Sequence, residues 1–568
     1  MPADAHAIGG TDSADVLRVG LAAGTPLEWG WSPDGESWRS AAAALATGDD
    51  PVGAPDAPWT VVRRRGDSLA AAVNATAQGG LYWSIDQCGG NEHLLFSNSL
   101  KALVRARRSR TTLNADYLRS YAVSAGSAQG SPFVEVHRIA PGTTAVWHPG
   151  VHTPQISVWC GPEAWPEPDL SGPQVPGMYL RTFDSTIDEL VGSSSTPLAA
   201  AVSGGLDSTF MAASLARHCS KSNPLLAFCH SPDPDAQLGP FATFDPNDYP
   251  VAEQLARAYP GRIEVVRVVT RDALSLDAAA AFSERTWLPT YSPSNQVWLD
   301  DIAERAAAAG ADRLFHGANG NPAYSYSHPY AARHYLDQRD WGSLAALARP
   351  YGGSGQGIWR QFRSRVAAPL ASPLRVRQRQ RRASEFTTGL GFASADGDST
   401  RAQLPDRSAY LKWLGQAFGT PAAMGPAGWP VAMLDPFTGR AILELAARMT
   451  PLEWSTRGPG DRGYARMLAA GRVPDSIRLR RRSGGQGWDS WYQSRNSRQR
   501  YLDEIEALPA SPIIGEWVSA NQLRERVAAW PWGQPSPEHL AEFFAVTVVL
   551  GLAAYCREMS RQLRVLGG

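Results

Sequence analysis

The chain has 568 residues, 43% hydrophobic and 19% charged, an ordinary globular balance with ample apolar surface for a core. Its formal net charge is zero, which excludes a global basic field for nucleic acid. The five cysteines (Cys88, Cys160, Cys219, Cys229, Cys556) are scattered and form no C-x-x-C pair, against a disulfide scaffold or zinc site and for a reducing, cytoplasmic compartment.

In chain order, MPADAHAIGG lacks the charged-then-apolar pattern of a signal peptide. Residues 15–160 read as β-rich, with runs such as LYWSI, HLLFS and TTAVWHP between Gly, Pro and Asn turns. Residues 161–177, GPEAWPEPDLSGPQVPG, break both periodicities and read as a linker. Beyond them strands alternate with helices. PLAAAV is a buried strand and STFMAASLARHC a helix. LLAFCHS and IEVVRVV are strands on either side of the helix YPVAEQLARAY. NQVWLDDIAERAAAAG is an amphipathic helix stopped at Gly310, and DRLFHGA is a fourth strand. This alternation predicts a parallel sheet covered by helices. After residue 330 the chain reads as mostly helical. Its longest apolar run, Phe543–Tyr555, is too short to span a bilayer and reads as a buried core helix, so no membrane partner is expected.

The hexapeptide SGGLDS (Ser203–Ser208) joins the first of these strands to its helix. Unpaired N–H groups at a helix start, with the positive end of the dipole, bind anions. Gly204 and Gly205 allow close backbone approach, and Ser203 and Ser208 add hydroxyls. Asp207 repels a bare anion and makes sense only with Mg²⁺ between it and phosphates. The bland alternative, a Gly-rich turn with Asp and Ser capping a helix, explains less of the hexapeptide.

SGGLDS lacks the lysine of G-x-x-x-x-G-K-[ST] and resembles the PP-loop of the ATP pyrophosphatases, which cleave ATP between the α- and β-phosphates. Three later segments resemble asparagine synthetases: LPTYSPSNQVWLDDIAERAAAAGADRLFHGANGN, PVAMLDPFTGRAILELAARM and YARMLAAGRVPDSIRLRRRSGGQGWDSW. Upstream, LLFSNSLKALV and the stretch through APGTTAVW look like part of a glutaminase-type domain. The resemblance implies an α/β protein in two parts. Residues 1–160 would form a β-rich, glutaminase-like (Ntn-type) sandwich, and residues 178–568 a PP-loop domain with a parallel sheet and helices. ATP and Mg²⁺ are the implied cofactors. Ser203, Gly204, Gly205, Leu206, Asp207, Ser208 and Gly317 would hold phosphates, with adenine near Phe228 and His230.

Departures from that family narrow the expectation. The chain opens Met-Pro-Ala-Asp and its first cysteine is Cys88, so no glutaminase thiolate is expected. The family's acidic G-E-G-S-D-E loop reads Gly317-Ala318-Asn319-Gly320-Asn321-Pro322, with Asn321 at the metal-binding aspartate and Ala318 at the glutamate. The family's catalytic lysine falls in RLRRRSGG, nearest Arg482, with Arg481 and Arg480 beside it. These features look most like lasso-peptide cyclases, which adenylate an Asp or Glu side chain of a precursor peptide and close a macrolactam with its N-terminal amine. Asp207, Asn321, Arg481 and Arg482 are then the expected catalytic residues, with Asp207 and Asn321 on the metal. Asn295, Trp298, Tyr324, Gln486 and Asp489 would face the peptide. A leader-peptide-binding protein and a leader peptidase are the implied partners. The run RVRQRQRR (Arg375–Arg382) reads as a solvated face, or else as a dock for an acidic leader. The competing expectations are a small-molecule ligase, β-lactam-synthetase-like or asparagine-synthetase-like, and a non-catalytic peptide-binding scaffold.

Overall fold

The N-terminal β-rich stretch resolves into two antiparallel sheets. The computed structural model describes residues 5–8, 16–20, 27–31, 37–47, 49, 51, 59–74, 80–88, 91–124, 130–161, 164–192, 195–236, 244–271, 273–290, 292–326, 331–348, 362–367, 428–458, 462–480, 483–484, 487, 489–533 and 537–567. One sheet contains β1 (Ala5–Ile8), β2 (Val16–Gly20), β6 (Leu81–Cys88), β7 (Asn91–Ser97) and β8 (His137–Ile139), in the order β1-β2-β7-β6-β8. The other contains β3 (Glu28–Trp31), β4 (Thr60–Arg65), β5 (Ser68–Val73), β9 (Thr143–Trp147) and β10 (Gln155–Val158), in the order β10-β9-β5-β4-β3. Side-chain alternation along each strand makes two faces. Val62 enters the core between the sheets with Leu94, Phe96 and Trp147, whereas Val61 turns outward to Ala41, Ala42 and Leu45 of α1 (Ser37–Thr47). On the other outer face Tyr82 and Leu95 meet α2 (Leu100–Ala106) and α3 (Ala115–Ser124). The result is a four-layer sandwich, helix–sheet–sheet–helix, with helical layers that the β-rich reading did not include.

The stretch read as a linker is docked. Asp169 and Leu170 N–H groups both donate to Arg448 O, and Arg448 grips the Asp169 carboxylate at 2.6 and 2.9 Å. Its last residues belong to α4 (Val175–Val191), so the linker ends before residue 177. The proline read there as a breaker, Pro176, sits in the first turn of that helix, where no N–H is needed.

Downstream lie β11 (Ala199–Ala201), α5 (Leu206–Leu215), β12 (Leu225–His230), β13 (Phe244–Asp245), α6 (Tyr249–Ala258), β14 (Ile263–Val268), α7 (Ser275–Thr286), α8 (Pro293–Ala308), β15 (Arg313–Phe315), β16 (Ala432–Leu434) and β17 (Ser483–Gly484). All neighbours in the sheet β14-β12-β11-β15-β16 run parallel. Ala199, Phe228, Leu314 and Met433 face α7, α8 and the C-terminal helix Pro537–Gly567. Ala200, Ala227, Phe315 and Leu434 face α4, α5 and α6. Two elements of the parallel-sheet layers, α7 and β16, are among those that escaped the sequence reading. α7 went unassigned, and β16 lies in the part read as mostly helical. Three residues are too few to show a period, and β16 is defined by its parallel pairing with β15, from Arg313 with Ala432 to Phe315 with Leu434.

The apolar run Phe543–Tyr555 sits inside a helix of 31 residues. Its stretch His539–Leu566 is long and apolar enough to cross a membrane, so the length argument does not stand. Its role is nonetheless that of a core helix. Phe543, Val546, Leu550 and Ala553 are fully buried in a core that also holds Tyr117 and Leu118 of α3 and Phe282 of α7. One apolar core thus runs across both halves of the chain.

Candidate functional site

The chain leaves β11 toward β12 on one side and returns to β15 on the other, so the strand order reverses between β11 and β15. In an open parallel sheet a ligand crevice forms at the carboxyl ends of such a pair. The loops there are SGGLDS after β11 and His316–Asn321 after β15.

Val202 N–H donates to Phe228 O at 2.8 Å and keeps the chain in register up to Ser203. Ser203 N–H then donates to Ser208 Oγ at 3.0 Å, and the two hydroxyl oxygens also lie 3.0 Å apart. Ser208 Oγ–H reaches Ser203 O at 3.1 Å. The two hydroxyls therefore brace the turn, where donation to phosphate was expected. α5 starts at Leu206 after Gly205, with no side chain capping its first turn. Backbone N–H groups and the helix dipole are what this loop offers an anion. Gly204 leaves room for the arm: a Cβ there would stand 2.3 Å from Asp248 Oδ1 and 2.6 Å from Arg480 Nη1 and would push both side chains away.

Asp207 lies in the first turn of α5, its side chain 13% exposed. Its Oδ1 is buried with no hydrogen-bond partner, and its Oδ2 is 3.7 Å from Arg462 Nη1. Burial pushes its carboxyl above the ordinary range, against the opposing pull of Ser325 and Arg462. A carboxylate oxygen without a donor, beside an anion-binding helix start, fits Mg²⁺, which takes one or two carboxylates plus phosphate oxygens. Among the described residues no three acidic, histidine or cysteine side chains form a metal site by themselves, so the phosphates would have to complete the shell.

The second loop presses directly on Asp207. A Cβ on Gly320 would fall 2.3 Å from Asp207 Oδ1, and one on Gly317 would fall 3.2 Å from Ser208 N. Asn321 is exposed and its Oδ1 accepts from Ser325 Oγ at 3.1 Å. Beneath the loop sits Asp435, a residue the sequence reading quoted without assigning a role. It is 1% exposed, accepting from Asn319 N–H at 2.8 Å and Nδ2–H at 3.0 Å on Oδ2, and from Phe437 N–H on Oδ1. Burial pushes its carboxyl up to about 7. His316 Nδ1 accepts from Ala318 N–H at 3.4 Å, and burial holds the imidazole down at about 4, so it is neutral at pH 7.

An arm closes the other side of the PP-loop. β13 and β17 pair in parallel, which brings Arg480 over Gly204. Arg480 pairs with Asp245 and lies 3.9 Å from Asp248 Oδ1. Asp248 is wedged between Gly204 and Gly484, and burial pushes its carboxyl up to about 6. Asp245, Asp248 and Arg462 were not among the expected site residues. Nothing local marks them, because long-range pairing carries them to the loop. Arg481, Arg482, Gln486 and the run Arg375–Arg382 lie outside the described residues.

The expected adenine and substrate positions separate into two groups. His230 stacks on Trp298 with ring centroids 5.7 Å apart, Trp298 Nε1–H donates to Asn295 Oδ1 at 3.1 Å, and His230 Nε2 is 3.7 Å from Asp489 Oδ1. Four expected residues thus form one cluster at the carboxyl end of β12. The Phe228 side chain is core. Tyr324 does not face a substrate: it is fully buried, stacks on Phe210 at 4.5 Å and donates to Ala465 O. It shares that core with Ala323 and with Phe210 of α5. Cys160, Cys219, Cys229 and Cys556 are buried, and burial pushes Cys219 up to about 11 and Cys556 up to about 12, so neither is a thiolate at pH 7.

This geometry has a counterpart among known families. A model of the asparagine synthase family matches residues 180–536, more than half of the chain. No curated protein matches it.

Proposed function

Because the chain belongs to the asparagine synthase family, and so to the ATP-dependent amide-forming ligases, we propose that it is a lasso-peptide cyclase. The observation that carries this reading is the second loop. It seals Asp207 with Gly320 and presents at Ala318 only a methyl group, with His316 neutral and Asp435 occupied below. A loop that exposes no acid or base, with His316 and Asp435 both buried, suits an amine that the substrate itself brings. Tethering two reacting groups in one well-oriented molecule contributes roughly 7–11 kcal/mol toward the barrier.

In this reading ATP lies across the mouth of SGGLDS, its phosphates on the backbone N–H groups of the loop and the start of α5. Asp207 would hold Mg²⁺, whose charge would offset that of the phosphates. A side-chain carboxylate of the precursor peptide attacks the α-phosphorus, the bond to the β-phosphate breaks, and pyrophosphate leaves. The peptide N-terminal amine then attacks the acyl carbon, the C–O bond to AMP breaks, and the amine proton passes to solvent. Arg480, with Arg481 and Arg482, offsets the negative charge that develops. Asn295, Trp298 and Asp489 wall the peptide side of the crevice. A leader-peptide-binding protein and a leader peptidase supply the substrate with its amine free.

The test is incubation with ATP, Mg²⁺ and a panel of peptides carrying a free amine and a downstream Asp or Glu. The expected result is AMP, pyrophosphate and a peptide lighter by one water. AMP formed only with free aspartate or a β-amino acid contradicts the cyclase and supports a small-molecule ligase. No turnover of ATP with any substrate supports the scaffold instead.

A further inference from the structure

At the junction of the two halves a buried charge lacks a hydrogen-bond partner. Arg138 on β8 is 4% exposed, and none of its three guanidinium nitrogens has a hydrogen-bond partner. It stands opposite Tyr82 in the β6–β8 ladder, so both side chains leave the sheet on the same face. That face meets α3 and the C-terminal helix, where Tyr82, Tyr117, Tyr121 and Tyr555 share one core. Two of these rings tie the halves together. Tyr121 donates to Pro289 O at 2.8 Å and Tyr555 to Trp287 O at 2.9 Å, both in the segment that leads into α8.

The guanidinium does not discharge at neutral pH, even though burial pulls its pKa down. The ionisable groups that act on it are Tyr82 and Tyr117, and burial raises both phenols, so they remain neutral. Among the described residues no carboxylate pairs with it. An isolated charge in an apolar seam is strongly unfavourable, whereas an ion pair with satisfied donors is tolerated. Water alone could solvate the N–H groups but would leave the charge uncompensated.

We propose that the seam between the sandwich and the parallel-sheet half holds a compact monovalent anion on Arg138, of the size of chloride or a small carboxylate. The anion completes the fork of the guanidinium and fastens β8 against α3 and the C-terminal helix. It binds the folded chain and not the unfolded one, so it stabilises by mass action.

The test is thermal unfolding of the full chain at fixed ionic strength and pH, with gluconate as the bulky balancing ion. Replacing gluconate by chloride, or in a separate arm by acetate, is expected to raise the midpoint saturably by roughly 1–3 °C. The arm that saturates at lower concentration identifies the natural class. Arg138→Met should abolish the response while unfolding in gluconate no earlier than the unsubstituted chain, since an apolar isostere removes an uncompensated charge. If that variant does not fold, Arg138→Lys serves, with the response retained but saturating at higher anion concentration. Crystals soaked in bromide should show an anomalous peak beside Arg138. An unsubstituted chain whose midpoint is the same in gluconate, chloride and acetate overturns the proposal. So does an equal response in Arg138→Met.

Discussion

At the scale of single residues, three buried carboxylates divide the work around the crevice. Asp207 has an orphaned oxygen at the anion site, Asp435 has one oxygen filled by the second loop and the other by Phe437 N–H, and Asp248 sits in the arm. Asp207→Asn should keep the fold and lower peptide-dependent AMP formation by at least about 100-fold, read by AMP release at saturating ATP. The raised carboxyl of Asp207 must ionise to hold a cation, so the Mg²⁺ concentration needed for activity should rise on acidification, read by AMP release across a Mg²⁺ titration at each pH. Asp248 gives a stability prediction with a defined sign. Its carboxyl titrates at about 6 in the folded chain against 3.8 as the unperturbed value, so the folded state holds the proton more tightly. Stability is then greatest below the unfolded value and declines as pH rises from about 4 to about 6, by about 3 kcal/mol at most. Asp248→Asn should flatten that decline, leaving the two proteins alike at pH 4 and the variant more stable at pH 7 by chemical denaturation. Asp207 was legible in the sequence because its hexapeptide is local. Asp248, Asp435 and Arg462 were not, because each reaches the loop through strand pairing or a turn distant in sequence.

At the scale of elements, the crevice exists because β11 and β15 are neighbours whose connections diverge, and its width is set by glycines. Gly320→Ala would drive a Cβ to 2.3 Å from Asp207 Oδ1, and the second loop must lift to relieve it. The expected cost is about 1–3 kcal/mol in stability, with AMP formation down about 10- to 100-fold, because Asp207 shifts with the loop. Differential scanning fluorimetry and an AMP assay on the same sample check both. The alternation of strands and helices around β11, β12, β14 and β15 was readable because each of these strands carries a short run dominated by apolar residues. β16 and the pair β13–β17 were not, since two or three residues carry no period and acquire their identity only from a partner strand. The end of the proline-rich stretch was misread for a related reason: Pro176 breaks a helix interior but suits a helix start.

At the scale of the molecule, one core joins the sandwich to the parallel-sheet half, with the C-terminal helix inserted between them. Leu550 is fully buried in that shared core, so Leu550→Ala should cost about 2–5 kcal/mol. Calorimetry should show both halves shifted together, not one early transition followed by an unchanged second one. The same arrangement places the crevice at the open end of the parallel sheet, where, in the proposed cyclase, a peptide would have to fold over ATP before its amine could reach the activated carbonyl. In the proposed cyclase the chemistry divides into adenylation by the loops and ring closure by the substrate. The most direct test is ATP–pyrophosphate exchange with a precursor peptide and with the same peptide acetylated at its amine. Peptide-dependent exchange is expected with both, and ring closure only with the free amine. Exchange that needs no peptide, cleavage of ATP to ADP and phosphate, or closure that requires added ammonia would contradict the proposed cyclase.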